Sequence, residues 1–206
     1  MNRQGSATRV YVEAGSKRVF ACALDWPGWC RSGRTEAEAL AALAAYAPRY
    51  APVAKLARVK FDAQAAEQNV VERVCGGATT DFGAPEVRLA SDSEPLKRAA
   101  LKRTRALLGA AWQYFDRAAE RAPERLRKGP RGGGRDTAKI VEHVYGAEGA
   151  YAPKLGVRVK DPQERREAVL AALDSEGTPW PARYLARRTA WHALDHAWEI
   201  EDRSPA

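Results

Sequence analysis

The stretch Trp191-His192-Ala193-Leu194-Asp195-His196-Ala197-Trp198-Glu199 places two histidines four residues apart inside an apolar pattern of helical period. At that spacing both imidazoles leave one face of a helix. The 206 residues include only three histidines. The third, His143, lies on the stripe Ile140, His143, Val144, Ala147, Tyr151, which carries apolar positions at i, i+3, i+4 and i+7. A helical bundle can hold a metal in its core when side chains from facing helices converge, so His143, His192 and His196 are the candidate metal ligands. Three imidazoles leave a coordination position for water or substrate, as in a catalytic rather than a closed structural centre.

Working outward from that stretch, the C-terminal part reads as four helices. The first covers about residues 95–122, with Leu96, Ala100, Leu107, Leu108, Ala111, Trp112 and Phe115 near helical spacing, and stops before Pro123. The second starts at Asp136 as N-cap and ends before Pro153, and the third spans about residues 162–173 with Pro162 in its first turn. The fourth follows Gly177-Thr178-Pro179 and carries the paired histidines. Four amphipathic helices with short to moderate connections predict a four-helix bundle over residues 94–206.

Residues 94–203 resemble the DinB/YfiT-like family of four-helix metal-binding proteins, through the histidine of Ile140-Val141-Glu142-His143-Val144 and the HxxxH of Arg188-Thr189-Ala190-Trp191-His192-Ala193-Leu194-Asp195-His196. That resemblance implies a divalent metal on those three side chains. It also implies a possible low-molecular-weight thiol cofactor, such as mycothiol or bacillithiol, because some members are thiol-dependent transferases or isomerases. Imidazole suits zinc, nickel, copper and iron, and zinc or nickel is the expected ion. Many members follow the last histidine with a small polar pair, often Gly-Gln, whereas here Ala197-Trp198-Glu199 follows. From spacing alone, Asp195 lies three residues after His192 and Glu199 three after His196, so these two carboxylates are the candidate catalytic residues, to orient an imidazole or act as a base.

The N-terminal part reads as strands and a helix. Val10-Tyr11-Val12 and residues 19–24 are β-favouring runs around a turn at Ala14-Gly15-Ser16-Lys17, Pro27-Gly28 supplies a second reversal, and Cys30-Arg31-Ser32 forms a brief third strand. Thr35 with Glu38 three residues on is a capping box for a helix over residues 37–46, which Pro48 and Pro52 limit. A less regular stretch, residues 55–68, leads to a strand at residues 69–74. This segment resembles the HicB-like antitoxin fold in Leu24-Asp25-Trp26-Pro27-Gly28, Ser32-Gly33 and Thr35-Glu36-Ala37-Glu38-Ala39. No short DNA-binding helix pair follows it directly. The expected class is therefore α+β: a HicB-like β-β-β-α-β module at residues 1–76, an ordered linker at residues 77–93, and the helical bundle.

Composition sets the remaining expectations. Three irregularly spaced cysteines, Cys22, Cys30 and Cys75, indicate neither a disulfide framework nor a thiolate zinc site. The formal net charge is +8, but the basic residues lie on separate elements, among them Lys97, Arg98, Lys102, Arg103 and Arg105, or Arg183, Arg187 and Arg188. They read as solvated faces, which leaves nucleic acid outside the expected partners. The basic loop at residues 125–135, with Gly132-Gly133-Gly134, is a second such region, and Trp180, Trp191 and Trp198 read as core. No apolar run is long enough for a membrane span and no leader is read at residues 1–6, so a cytoplasmic protein is expected. The functional expectation is a metal-dependent enzyme acting on a small-molecule substrate or thiol as transferase, isomerase or hydrolase, with a homodimer as a candidate assembly. The alternatives are a non-catalytic metal-binding or stress-response module and a HicB-like regulator.

Overall fold

In a computed structural model, which describes residues 7–63, 67–129 and 134–205, the chain is α+β: four strands in one sheet and seven helices. Met1 to Ser6, part of the irregular stretch before the last strand, and Gly132-Gly133 of the basic loop lie outside the described residues. No helix among those described is long and apolar enough to cross a membrane.

Strands β1 (Thr8–Ala14) and β2 (Val19–Ala23) pair antiparallel, and β3 (Cys30–Gly33) continues the meander on β2. The Trp26-Pro27-Gly28 reversal joins β2 to β3. Gly28 takes φ of 90°, and a Cβ there would sit 2.6 Å from Leu194 Cδ1 and 3.0 Å from the Ala190 backbone. The turn therefore needs glycine both for its dihedral and for its close approach to the last helix. Helix α1 (Glu36–Ala45) begins as read, with Thr35 Oγ1 accepting from the Glu38 N–H at 3.2 Å. The Glu38 carboxylate reaches one residue further back than a capping box requires and accepts from the Arg34 N–H.

The structure then departs from the expected order. A second helix, α2 (Ala47–Leu56), follows at once, in spite of Pro48 and Pro52. Pro48 falls in its first turn, where no intrahelical N–H is needed. Pro52 lies inside the helix and withholds one bond, but Tyr50, Val53 and Ala54 on the same helix are buried. Tyr50 stacks on Trp29 with ring centroids 5.8 Å apart and donates its hydroxyl to the Pro27 carbonyl. Tertiary burial outweighs the lost bond. Strand β4 (Gln68–Cys75) then crosses back to lie parallel to β1, giving the order β3-β2-β1-β4.

Residues 76–97 dock rather than trail. The short helix α3 (Ala78–Phe82) and the following segment surround buried Glu13 of β1, whose carboxylate accepts from Thr80 Oγ1 and from the backbone N–H groups of Glu86 and Val87. A single 3-10 turn at Ala90–Ser93 buries Asp92, which receives the guanidinium of Arg187.

The four long helices are α4 (Arg98–Arg121), α5 (Thr137–Tyr151), α6 (Pro162–Ala171) and α7 (Ala182–Arg203). Helix α7 is buried on nearly every side from Tyr184 to Ile200, the mark of a central helix. It packs on α4 and α5, with the sheet against its other side. The larger of two buried clusters among the described residues runs from Trp29, Leu43 and Tyr50 to Leu108, Phe115 and Leu194. Inside it Arg166 is buried with Glu148, in a two-pronged pair at 2.8 and 2.9 Å, and with Asp116.

Several arginines read as solvated are structural. Arg187 is buried against Asp92, Arg105 caps the carbonyls of Leu170 and Ala171, and Arg103 lies 3.9 Å over the Trp26 ring while donating to the Asp25 carbonyl. The fork of five donors suits arginine to gathering carbonyls at element ends. Trp191 and Trp198 are buried, as expected for core, and Trp180 packs partly buried against Tyr151 and Tyr184.

Candidate metal centre

The three histidines converge. His192 and His196 leave one face of α7 and His143 leaves the facing stripe of α5, so that one nitrogen from each ring lies within 4.8 Å of the other two. His192 Nε2 and His143 Nε2 stand 3.1 Å apart. Two imidazole nitrogens on one tetrahedral zinc are separated by roughly 3.3 Å, given metal–nitrogen bonds of about 2.0–2.1 Å. One pair thus already stands near a coordinating separation, and the nitrogen of His196 lies within 4.8 Å of both. The chemistry of the donor set fits a borderline divalent ion.

Burial is graded across the triad. His192 is buried, His196 nearly so, and His143 is partly exposed. An open depression borders His143, walled by Arg135, Lys139, Glu142, Gly146 and Ala147. Gly146 and Ala147, one turn after His143, present little or no side chain, and that is what leaves the approach open. On the inner side, Tyr151 and Trp191 pack against His192, with ring centroids 6.1 and 6.0 Å from it.

Burial and charge keep two of the rings, His192 and His143, neutral. Burial, followed by the neighbouring His196 and His143 and the cations of Arg188 and Arg135, pushes the His192 pKa down to about 2. His143 is lowered as well, by burial first and then by His196 and Arg135, with Glu199 opposing. Neutral imidazoles carry the lone pair that a metal requires.

The two candidate carboxylates have different surroundings. Glu199 Oε2 meets His196 Nδ1 at 2.8 Å and its Oε1 accepts from Arg203 at 2.7 Å. The hydrogen bond to His196, and the Arg203 charge behind it, hold its carboxyl below the usual range in spite of burial. With the Nδ1 proton directed at that carboxylate, His196 keeps Nε2 as its free donor, the arrangement by which a carboxylate orients a metal-ligating imidazole. Asp195 turns the other way and is held at 2.8 Å by Arg31 of β3. Arg203, four residues after Glu199, escaped the sequence reading although its i, i+4 spacing is a readable signal. The partnership of Arg31 with Asp195 had none, because 164 residues separate them. The basic loop is tied to the end of α7: Arg127 donates to the Asp202 carbonyl, and its own carbonyl accepts from Arg203 Nε. Comparison with protein-family models, with curated proteins and with solved structures finds no match.

Proposed function

We propose that the chain is a divalent-metal protein of the DinB-like kind, in which His143, His192 and His196 hold zinc or nickel and the centre serves group transfer or isomerisation through a low-molecular-weight thiol. The convergence of three imidazole nitrogens within 4.8 Å of one another carries this reading. A divalent ion held by the three imidazoles would supply Lewis-acid activation of a thiol or water nucleophile. The chain's own groups do the rest. Glu199 fixes the ring of His196, Arg203 fixes Glu199, and the aromatic wall of Tyr151 and Trp191 keeps bulk water from the inner side of His192. The depression beside His143 is the route by which a small molecule arrives.

Metal analysis of the untagged protein after reconstitution tests the first half. One equivalent of tightly held ion is expected in the wild type and its loss in His192→Ala, whereas a wild type that retains no ion overturns the reading. A thermal-shift screen of the metal-loaded protein against low-molecular-weight thiols tests the second. A thiol-dependent rise supports a thiol substrate, and a flat response to every thiol removes it.

A further inference from the structure

Strand register places Tyr11, Cys22 and Cys30 in one cross-strand row, with Tyr11 opposite Cys22 and Cys22 opposite Cys30. The Ala23 N–H donates to the Trp29 carbonyl at 2.9 Å. Ala23 and Trp29 are therefore a hydrogen-bonded pair of this antiparallel ladder, and Cys22 with Cys30 is the adjacent non-hydrogen-bonded pair. Residues so paired have Cα atoms about 4.5 Å apart, within the span of about 4.4–6.8 Å that a disulfide bridges. Both side chains leave the same sheet face and pack into a cluster with Tyr11, Phe20, Leu89 and Trp191.

Beside the packed pair there is a small space. A cavity of about 20 Å³ is lined by both cysteines, Tyr11 and Arg187, room for one water-sized molecule. Arg187 is held there by Asp92, and its Nε is buried with no hydrogen-bond partner among the described residues. Burial first, and then the neighbouring Cys22, push the Cys30 thiol up, with Arg31 opposing, so it is the proximity of the two sulfurs rather than a standing thiolate that suits the pair to oxidation. Cys75, by contrast, is exposed on β4, apart from this cluster.

We propose that Cys22 and Cys30 are an oxidation site, which closes a cross-strand disulfide when a hydroperoxide small enough for that cavity reaches it. One thiol releases its proton, and its sulfur attacks the O–O bond, taking one oxygen as a sulfenic acid while the other leaves as hydroxide and is protonated to water. The second thiol attacks that sulfur, the S–S bond forms, and the sulfenic oxygen leaves as a second water with the second thiol's proton. Two thiols are oxidised by two electrons, and one hydrogen peroxide is reduced to two waters. The site shares Trp191 with the surroundings of His192, but none of the three histidines lines the cavity.

Peptide mapping tests it directly, because cleavage after Arg18 and Arg31 leaves both cysteines on one peptide, residues 19–31. The folded protein with the exposed Cys75 replaced, Cys75→Ser, is treated with hydrogen peroxide, unfolded in an alkylating reagent and digested. The expected peptide is unalkylated and lighter than its dithiol form by two hydrogen atoms, and reduction before alkylation converts it to the doubly alkylated form. The same map of the peroxide-treated wild type guards against an effect of the substitution. Recovery of the doubly alkylated peptide without reduction, or of sulfinic acids without an S–S bond, overturns the proposal.

Discussion

Glu199→Gln separates a metal-orienting carboxylate from a merely solvated one. The substitution keeps an acceptor for His196 Nδ1, which stands 2.8 Å from Oε2, but removes the charge that makes the imidazole a stronger donor to a metal. It also removes the ion pair with Arg203. Loss of the partner that orients a metal-ligating histidine lowers metal affinity by about 10–100-fold, or about 1.4–2.7 kcal/mol. Because glutamine retains the hydrogen bond, the lower end of that range is expected. Folding stability should change by less than about 1 kcal/mol, since the Glu199 side chain is a third exposed and such pairs are weak. The assay is competition with a chromophoric chelator at neutral pH, with denaturant unfolding of the metal-free protein alongside. Asp195→Asn is the control, because that carboxylate is committed to Arg31 and its loss should leave metal affinity within about twofold. Equal affinity in Glu199→Gln and the wild type refutes the role argued for Glu199, and an equal loss in Asp195→Asn refutes the distinction between the two carboxylates.

Three further outcomes follow from the same geometry. His192 and His143 titrate lower in the folded protein than unfolded histidine does, so between about pH 6.5 and the lowered values the unfolded chain binds more protons. The stability of the metal-free protein should therefore be complete above about pH 6.5 and fall as the pH drops below it. Thermal unfolding in a pH series reads this, His192→Gln should flatten the slope, and a flat wild-type profile would count against the burial of these rings. Gly28→Ala should destabilise by more than about 1 kcal/mol, since its φ is 90° and its Cβ would strike Ala190 and Leu194, whereas Gly146→Ala, whose Cβ meets nothing within 4 Å, should stabilise α5 by about 0.5–1 kcal/mol. Denaturant titration orders the two, and a reversed order sinks the argument. Asp92→Asn leaves the buried Arg187 without its counter-charge and should cost about 3–5 kcal/mol in the same assay; a loss below about 1 kcal/mol would mean that water reaches Arg187.

Local signals carried much of this structure in the sequence. The β-favouring runs at residues 10–12 and 19–24, the cap at Thr35 and the stripe ending at Tyr151 all rest on neighbours within one or two turns, and each forms where those neighbours place it. The histidines were legible for the same reason, since a four-residue spacing fixes a helical face before any fold is known. Helix α2 was not, because two prolines outweigh propensity locally while the gain that overrides them comes from Tyr50 meeting Trp29 across the turn. The buried arginines were hidden likewise. Arg166 and Arg187 look like any surface charge until Glu148 and Asp92 arrive from distant segments.

The same contrast explains why α7 holds the candidate metal ligands where it does. Positions 191, 195 and 198 face the sheet side: Trp191 sets its ring edge-on to Phe20 at 6.2 Å, Asp195 is held by Arg31, and Trp198 meets Tyr46 at 5.1 Å. Positions 192, 196 and 199 are each one residue further on and face α5 or the end of α7. One residue of helix is about 100° of rotation, so any slip that returned the histidines to another face would also withdraw Trp191 from Phe20, Trp198 from Tyr46 and Asp195 from Arg31. The contacts that dock the N-terminal part on α7, chiefly those of the two tryptophans, therefore also set the rotation of the histidines toward His143. The N-terminal part thereby acts on the triad through the rotation of α7.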